Sequence, residues 1–229
     1  MSQETHRGTI VFDIIGTSFS LNRVADALTV AGAPSHTLPL WFAQSLRDGF
    51  ALSHAGGYQP LKSVLEAELP RTLRQLGVTC TTEQMQNVVA AFGRLEPQPG
   101  LVDLVQEMAD DRWRILALAN ASVESIRGLL DGAGIAHHFS ALLSTDQVQK
   151  MKPHPSVYEL ARREAHGEIW MVAAHAWDIQ GAARVGFRTV FISELELGSL
   201  DIYPAPNLTA PRLRQLSAAP GPAIHLFRE

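Results

Sequence analysis

The stretch Gly8-Thr-Ile-Val-Phe-Asp13-Ile-Ile-Gly-Thr17 decides the fold. Its first half is a short continuous run of β-branched and aromatic residues, the pattern of a fully buried strand, and Gly16 ends it. Asp13 is therefore delivered to the carboxyl end of the first strand. The apolar run from Thr9 to Ile15 is much too short to span a bilayer and follows no basic segment with a small-residue cleavage site, so no targeting segment is expected.

Downstream of this strand, Ser20 is placed to cap a helix through Leu21, Val24, Ala25 and Leu28, with Gly32 ending it. From Ser35 to about Leu95 the apolar residues recur at helix spacing: Trp41, Phe42, Leu46 and Phe50, then Leu61, Val64, Leu65 and Leu69, then Met85, Val88, Val89 and Phe92. The pattern predicts three or four helices, with a kink or a fresh start at Pro70. Glu96-Pro-Gln-Pro-Gly100 closes the helical block. Helices and strands then alternate: helix 101–108, strand 115–119, helix 123–130, a short strand near Leu142, helix 155–165, strand 170–174, helix 179–185 and strand 189–192. Such alternation reads as βαβ units around a parallel sheet with right-handed crossovers. The predicted architecture is α/β, a Rossmann-like core of residues 1–18 and 98–229 interrupted by a helical cap over 19–97.

Composition agrees with an ordinary globular chain. Of 229 residues, 46% are hydrophobic and 18% charged, which excludes a disordered tail, a collagen and a coiled coil. The 19 basic and 23 acidic residues form no run of one sign, so neither nucleic acid nor a membrane surface is an expected partner. Cys80 is the single cysteine, which excludes an internal disulfide and points to a reducing, cytoplasmic compartment.

Ligands of open parallel sheets bind outside the carboxyl ends of the strands. Those ends carry Asp13-Ile-Ile-Gly-Thr17, Ala119-Asn-Ala-Ser122, Lys150-Met-Lys152-Pro153 and His175-Ala-Trp-Asp178. A carboxylate acts as a nucleophile when donors and a cation hold and aim its charge. Lys152 supplies the cation, Thr17 and Asn120 supply hydroxyl and amide groups that orient Asp13 or an anionic substrate, and Asp178 holds Lys152, positions water or binds a metal. Gly16 permits a left-handed turn away from the strand. His137, His138 and His154 lack metal-ligand spacing, and Cys80 has no neighbouring His, so all four read as structural.

In order and spacing these four segments resemble the motifs of the haloacid dehalogenase superfamily, and the resemblance covers nearly the whole chain. The run Lys152-Pro-His-Pro-Ser-Val-Tyr158-Glu-Leu-Ala, with Ala176-Trp-Asp178 followed by Gly181-Ala and Gly186-Phe, is similar to the L-2-haloacid dehalogenase branch. That branch implies an aspartate that displaces halide from the substrate α-carbon and a water that hydrolyses the resulting ester, with inversion and without metal or other cofactor. It also implies a homodimer formed through the helical cap.

Departures from the superfamily's patterns sharpen the expectation. Ile15 stands where magnesium-dependent phosphatases carry a second Asp that protonates a leaving alkoxide; a halide needs no such proton. Phe42 follows Trp41 where the dehalogenases carry an Arg, and the nearest cation, Arg47, is expected on another helical face. Ala119 and Ala173 replace serines, and His175 replaces an Asn. The sequence thus predicts hydrolytic dehalogenation of a small 2-haloacid through an ester on Asp13. Thr17, Asn120, Lys152, His175 and Asp178 assist, and Ile15, Phe42, Tyr158 and Trp177 line the substrate site. His175, with an ordinary pKa of roughly 6.5, is suited to act as base toward the hydrolytic water. Two alternatives stand beside this reading: a magnesium-dependent phosphatase using Asp13 and Asp178, and a non-catalytic binding protein that kept the fold.

Overall fold

In a computed structural model that describes residues 6–217, β1 (Thr9–Phe12) is buried end to end at the centre of the sheet. A two-residue strand β2 (Phe19–Ser20) leads into α1 (Asn22–Val30), α2 (Thr37–His54), α3 (Leu61–Gln75) and α4 (Thr82–Ala90). The chain returns through β3 (Glu96–Pro97) to α5 (Leu101–Asp110), β4 (Arg114–Ala119), α6 (Val123–Gly132) and β5 (Phe139–Ser144). The described residues continue through α7 (Pro155–Glu164), β6 (Ile169–Ala173), α8 (Ala176–Arg184), β7 (Arg188–Ile192), β8 (Leu208–Ala210) and α9 (Arg214–Ser217).

Six strands pair in the order β5-β4-β1-β6-β7-β8, every pair parallel. Alternate side chains face opposite sides of a strand. Ile10 and Phe12 therefore join one apolar cluster with Leu101, Leu104 and Met108 of α5 and Ile126 and Leu130 of α6. Val11 joins the other, with Val157 and Tyr158 of α7 and Ile179 of α8. Covered on both faces, the central strands have no polar positions to alternate, which is why β1 reads as an unbroken apolar run. The carboxyl ends of β1, β4, β5 and β6 share one edge of this α/β sandwich.

The helices α1 to α4 pack as amphipathic elements. Trp41 on α2 is fully buried, donates through Nε1 to the Leu65 carbonyl on α3 at 3.0 Å, and meets Phe92 edge to face. A capping box opens α4: Thr81 Oγ1 accepts from the Gln84 amide at 3.1 Å, and Gln84 Oε1 accepts from the Thr81 amide at 2.8 Å.

Four local expectations are corrected. Helix α3 runs through Pro70 without a fresh start. The ring deprives the Glu66 carbonyl of its partner, but Glu66 lies on the exposed face, while Leu65, Leu69 and Leu73 bury the other. Helix α1 begins one residue later than a Ser20 cap implies; Ser20 Oγ instead accepts from the Asn22 amide at 3.2 Å. The closing segment Glu96-Pro-Gln-Pro-Gly100 is partly strand, since Phe19 pairs with Pro97 and Ser20 with Glu96 in an antiparallel ladder. Helix α8 starts at Ala176, three residues before the expected Ile179, and so takes Trp177 and Asp178 into its first turn.

Candidate active site

The turn after β1 fixes Asp13 from several sides. Its backbone amide donates to Val172 O at 3.0 Å, and its carbonyl accepts from Ser18 Oγ at 2.6 Å. Thr17 Oγ1 accepts the Ala174 amide at 2.8 Å, which leaves its one proton for Asp13 Oδ2, 2.6 Å away. Gly16 has φ +83°, and a Cβ there would stand 3.0 Å from His175 Nε2. Any side chain at 16 is therefore both strained and pressed into the imidazole.

Lys152 enters from the loop between β5 and α7, where it precedes Pro153 in a cis peptide bond. Its backbone amide donates to Asn120 Oδ1 at 3.0 Å, so the residue after β4 positions the lysine rather than Asp13 directly. All three ammonium protons are used: on Asp13 Oδ1 at 2.7 Å, Asp178 Oδ2 at 2.6 Å and Leu118 O at 2.9 Å. The side chain is fully buried. Burial lowers the ammonium pKa, but Asp13 and Asp178 together outweigh it and leave it raised, so Lys152 stays charged. The adjoining loop is gripped by α2, whose Ser53 accepts the Met151 amide through Oγ at 3.1 Å and Lys150 Nζ through its carbonyl at 2.9 Å. Lys150 is thereby held away from the carboxylates.

Asp178 is wholly buried. Burial, then the charge of Asp13, raises its pKa against the pull of Lys152 and Tyr158. Both oxygens face donors, Lys152 on Oδ2 and the Tyr158 hydroxyl on Oδ1 at 2.7 Å, and that arrangement favours the carboxylate. Tyr158, expected to wall the substrate site, instead sits behind Asp178 with no exposed surface. Burial, followed by the Asp178 charge, pushes its phenol well above the ordinary value, so it remains a donor. Gly181 permits this packing, because a Cβ there would lie 2.3 Å from the Tyr158 hydroxyl and 2.7 Å from Pro153 Cβ.

His175 closes the site from the start of α8. Its Nδ1 meets Glu196 Oε1 at 3.2 Å, while Glu196 Oε2 accepts the Ala176 amide at 2.8 Å. Nε2 is buried without a partner among the described residues. Burial lowers the imidazole pKa, but the bond to Glu196 and the charges of Asp13, Glu196 and Asp178 outweigh it, so the pKa is raised. Trp177 stacks on the His175 ring at 5.2 Å and 14°, and Phe42 approaches that ring at 6.0 Å.

Two of the cavities that flank the turn after Asp13 reach helices α2 to α4. One, of about 420 Å³, is bordered by Ile15, Asn120, Ser122, Lys62, Ser63 and Asp146. The other, of about 880 Å³, is bordered by Gly16, His175, Trp177, Phe42, Phe50 and Leu46. Arg47, expected on a different face from Phe42, borders this second cavity too, because the cavity extends along α2; its guanidinium is engaged by Asp48 at 2.8 and 3.1 Å.

The predicted residues thus separate into two groups. Asp13, Thr17, Asn120, Lys152, Asp178 and Tyr158 form one hydrogen-bonded unit, while Ile15, Phe42, Trp177 and His175 border the cavities. Glu196 and Ser53 join the site without having been expected. Among the described residues no group of three or more His, Cys, Asp or Glu is arranged to hold a metal, and no helix is long and apolar enough to cross a membrane.

A family model for haloacid dehalogenase-like hydrolases matches residues 8–186. The (S)-2-haloacid dehalogenase of Xanthobacter autotrophicus is 28% identical over 93% of this chain and 88% of its own length, and that of Pseudomonas sp. (strain YL) is 31% identical over 80% and 82%. The solved structure of the L-2-haloacid dehalogenase from Xanthobacter autotrophicus superposes with a TM-score of 0.83 at 24% identity, covering 91% of this chain and 96% of that one. With an aspartate, a lysine and a second aspartate gathered at the strand ends, and with matches that take in the sheet and the inserted helices alike, the chain belongs to the haloacid dehalogenase-like hydrolase family.

Proposed function

We propose that this chain hydrolyses the carbon–halogen bond of 2-haloacids through an ester on Asp13, without a metal. The observation that carries the reading is the Asp13 carboxylate, held between the Thr17 hydroxyl and the Lys152 ammonium, with no acid at residue 15. In the first step an Asp13 oxygen attacks C2, the carbon–halogen bond breaks, and halide leaves with the bonding pair; no proton is required. In the second, water attacks the ester carbonyl and gives its proton to His175 Nε2. The ester C–O bond then breaks, the departing alkoxide takes the proton back from His175, and the Asp13 carboxyl releases the water's second proton to solvent, yielding a 2-hydroxyacid and the free Asp13 carboxylate. Glu196 is a positioning residue, fixing the tautomer and plane of His175 through Nδ1. Asn120 and the amino end of α6 border the smaller cavity and suit the substrate carboxylate. Residues 19–97 act as the cap over a core of 1–18 and 98–229, of which 1–5 and 218–229 lie outside the described residues, in a reducing, cytoplasmic setting.

The phosphatase alternative fits less well. A cation shared by Asp13 and Asp178 needs an oxygen from each. The Lys152 ammonium already stands on Asp13 Oδ1 and Asp178 Oδ2, and Tyr158 takes Asp178 Oδ1. The donor set does not suit magnesium.

The test is halide and phosphate release by wild type and Asp13→Asn on a panel of 2-haloacids and phosphate esters, with and without magnesium. Expected are magnesium-independent halide release by wild type alone, and accumulation in His175→Gln of a protein species heavier by the bound carboxyalkyl group. Halide release no faster than by Asp13→Asn on every acid, or magnesium-dependent phosphate release, overturns the reading.

A further inference from the structure

Resting on the reading of the site as a 2-haloacid hydrolase, we propose that helix α2 positions the catalytic lysine. Ser53, with Gly49, clamps the loop between β5 and α7 so that the Lys152 ammonium meets Asp13 and Asp178 at the strand ends. Ser53 is thus a positioning residue; it borders neither of the two cavities beside Asp13. Lys152 follows directly on the clamped residues. Its ammonium has to reach Asp13 Oδ1 at 2.7 Å and Asp178 Oδ2 at 2.6 Å at once. A loop displaced by about 1 Å misplaces it for both, and a shift of that size can lower a rate by about a hundredfold.

Gln149 shows why this loop needs an external hold. It is a non-glycine residue in the left-handed region, at φ +50°, a conformation that persists only where the surroundings impose it. The next two residues find their support on α2. The Met151 amide donates to Ser53 Oγ at 3.1 Å, and Lys150 Nζ donates to the Ser53 carbonyl at 2.9 Å, in the last turn of α2, where a cation suits the helix dipole. The Met151 side chain is buried, and a Cβ at Gly49 would collide with its Sδ. Positions 49 and 53 share one face of α2, and both carry residues that a helix interior disfavours relative to alanine. The glycine makes room for Met151, and the serine supplies the acceptor its amide needs. The start of the loop is held from the same side: Tyr58, in the connection from α2 to α3, donates to Asp146 and stands 3.3 Å from Thr145 Oγ1. The core contributes the bond from the Lys152 amide to Asn120 Oδ1.

Two variants and two readouts test this. Ser53→Ala removes the acceptor of the Met151 amide, and Lys150→Met, at a half-buried position, removes the donor to the Ser53 carbonyl. For each, kcat and KM are measured for halide release from 2-chloropropionate, and amide exchange is followed by NMR. Expected in Ser53→Ala is a fall in kcat of at least about tenfold with KM changed by less than about twofold. The Lys152 amide also exchanges faster, although its own acceptor on Asn120 is untouched, while the β1 amides keep their wild-type rates. Lys150→Met moves both readouts the same way by a smaller amount, and carries the test if Ser53→Ala does not fold. A contact that serves stability alone would speed exchange across the sheet and leave kcat per folded molecule unchanged. An unchanged kcat, a raised KM at unchanged kcat, or exchange that rises equally at Lys152 and in β1 overturns the proposal. If wild type releases no halide from any 2-haloacid, the dehalogenase reading falls and exchange decides alone: a selective rise at Lys152 upholds the clamp, and none overturns it.

Discussion

Replacing Lys152 with Met tests the centre of the site. The substitution keeps the length of the side chain but removes a fully buried ammonium that holds Asp13 at 2.7 Å, Asp178 at 2.6 Å and the Leu118 carbonyl at 2.9 Å. Removing one partner of a buried ion pair costs about 3–5 kcal/mol, because the remaining charge is left without compensation. For a chain of this size that corresponds to a fall in Tm of roughly 6–20 °C. Two carboxylates left facing each other cannot both stay ionised, so one binds a proton with a pKa raised above its unfolded value of about 3.9. Between those two pKa values the folded variant holds a proton that the unfolded chain lacks, so stability falls as pH rises through the window. The deficit relative to wild type is therefore larger at pH 8.5 than at pH 5.5. Urea unfolding followed by circular dichroism at both pH values measures it. A deficit below about 1 kcal/mol, the scale of an exposed pair, or one equal at the two pH values, refutes the account of Lys152 as the shared counter-charge.

Glu196→Gln removes a charge that raises the His175 pKa, so the acid limb of the pH–rate profile, set by deprotonation of the base, moves to lower pH and the maximal rate falls; a limb that stays in place or moves up counts against the pairing. Tyr158→Phe deprives a buried Asp178 oxygen of its donor and lowers stability by about 1–3 kcal/mol, read by urea unfolding, with little change in KM because the hydroxyl does not border either cavity. Gly181→Ala forces a methyl against the Tyr158 hydroxyl and Pro153 and destabilises by about 1–3 kcal/mol in the same assay. Thr17→Val keeps the side-chain shape but strips Asp13 Oδ2 of its donor and the Ala174 amide of its acceptor, so kcat for halide release drops by at least about tenfold.

The parts of the site that follow strands were legible because a parallel sheet gathers its carboxyl ends along one edge. Asp13, Asn120, Lys152 and Asp178 meet there although as many as 165 sequence positions separate them. Glu196 obeyed the same rule and was missed: it lies in the turn after β7, a strand end that carries no recognised motif. Tyr158 was misplaced because helical spacing says which residues share a face but not what that face meets, and only the close approach allowed by Gly181 turns its hydroxyl to Asp178. Strand β8 left no trace because three residues, Leu-Thr-Ala, carry no period; they are ordered by pairing with β7 and by Asn207, whose side chain accepts the Thr189 amide. Pro70 misled in the opposite direction, since tertiary packing of α3 against α2 overrides the local helix-breaking signal.

The pairing of Phe19 with Pro97 brings the outgoing and returning chain within one strand spacing, about 4.8 Å, so the helices between them form a closed detour from the sheet. A doubling of such a detour costs only about 0.6 kcal/mol in closure entropy, and no sheet register depends on its length. Helices there can be lengthened or shortened without moving a sheet register, so long as Ser53 of α2 keeps its hold on the loop that carries Lys152. Substitutions in α2 and α3 are thus separated by a two-rung ladder from the strand ends that carry Asp13 and Asp178.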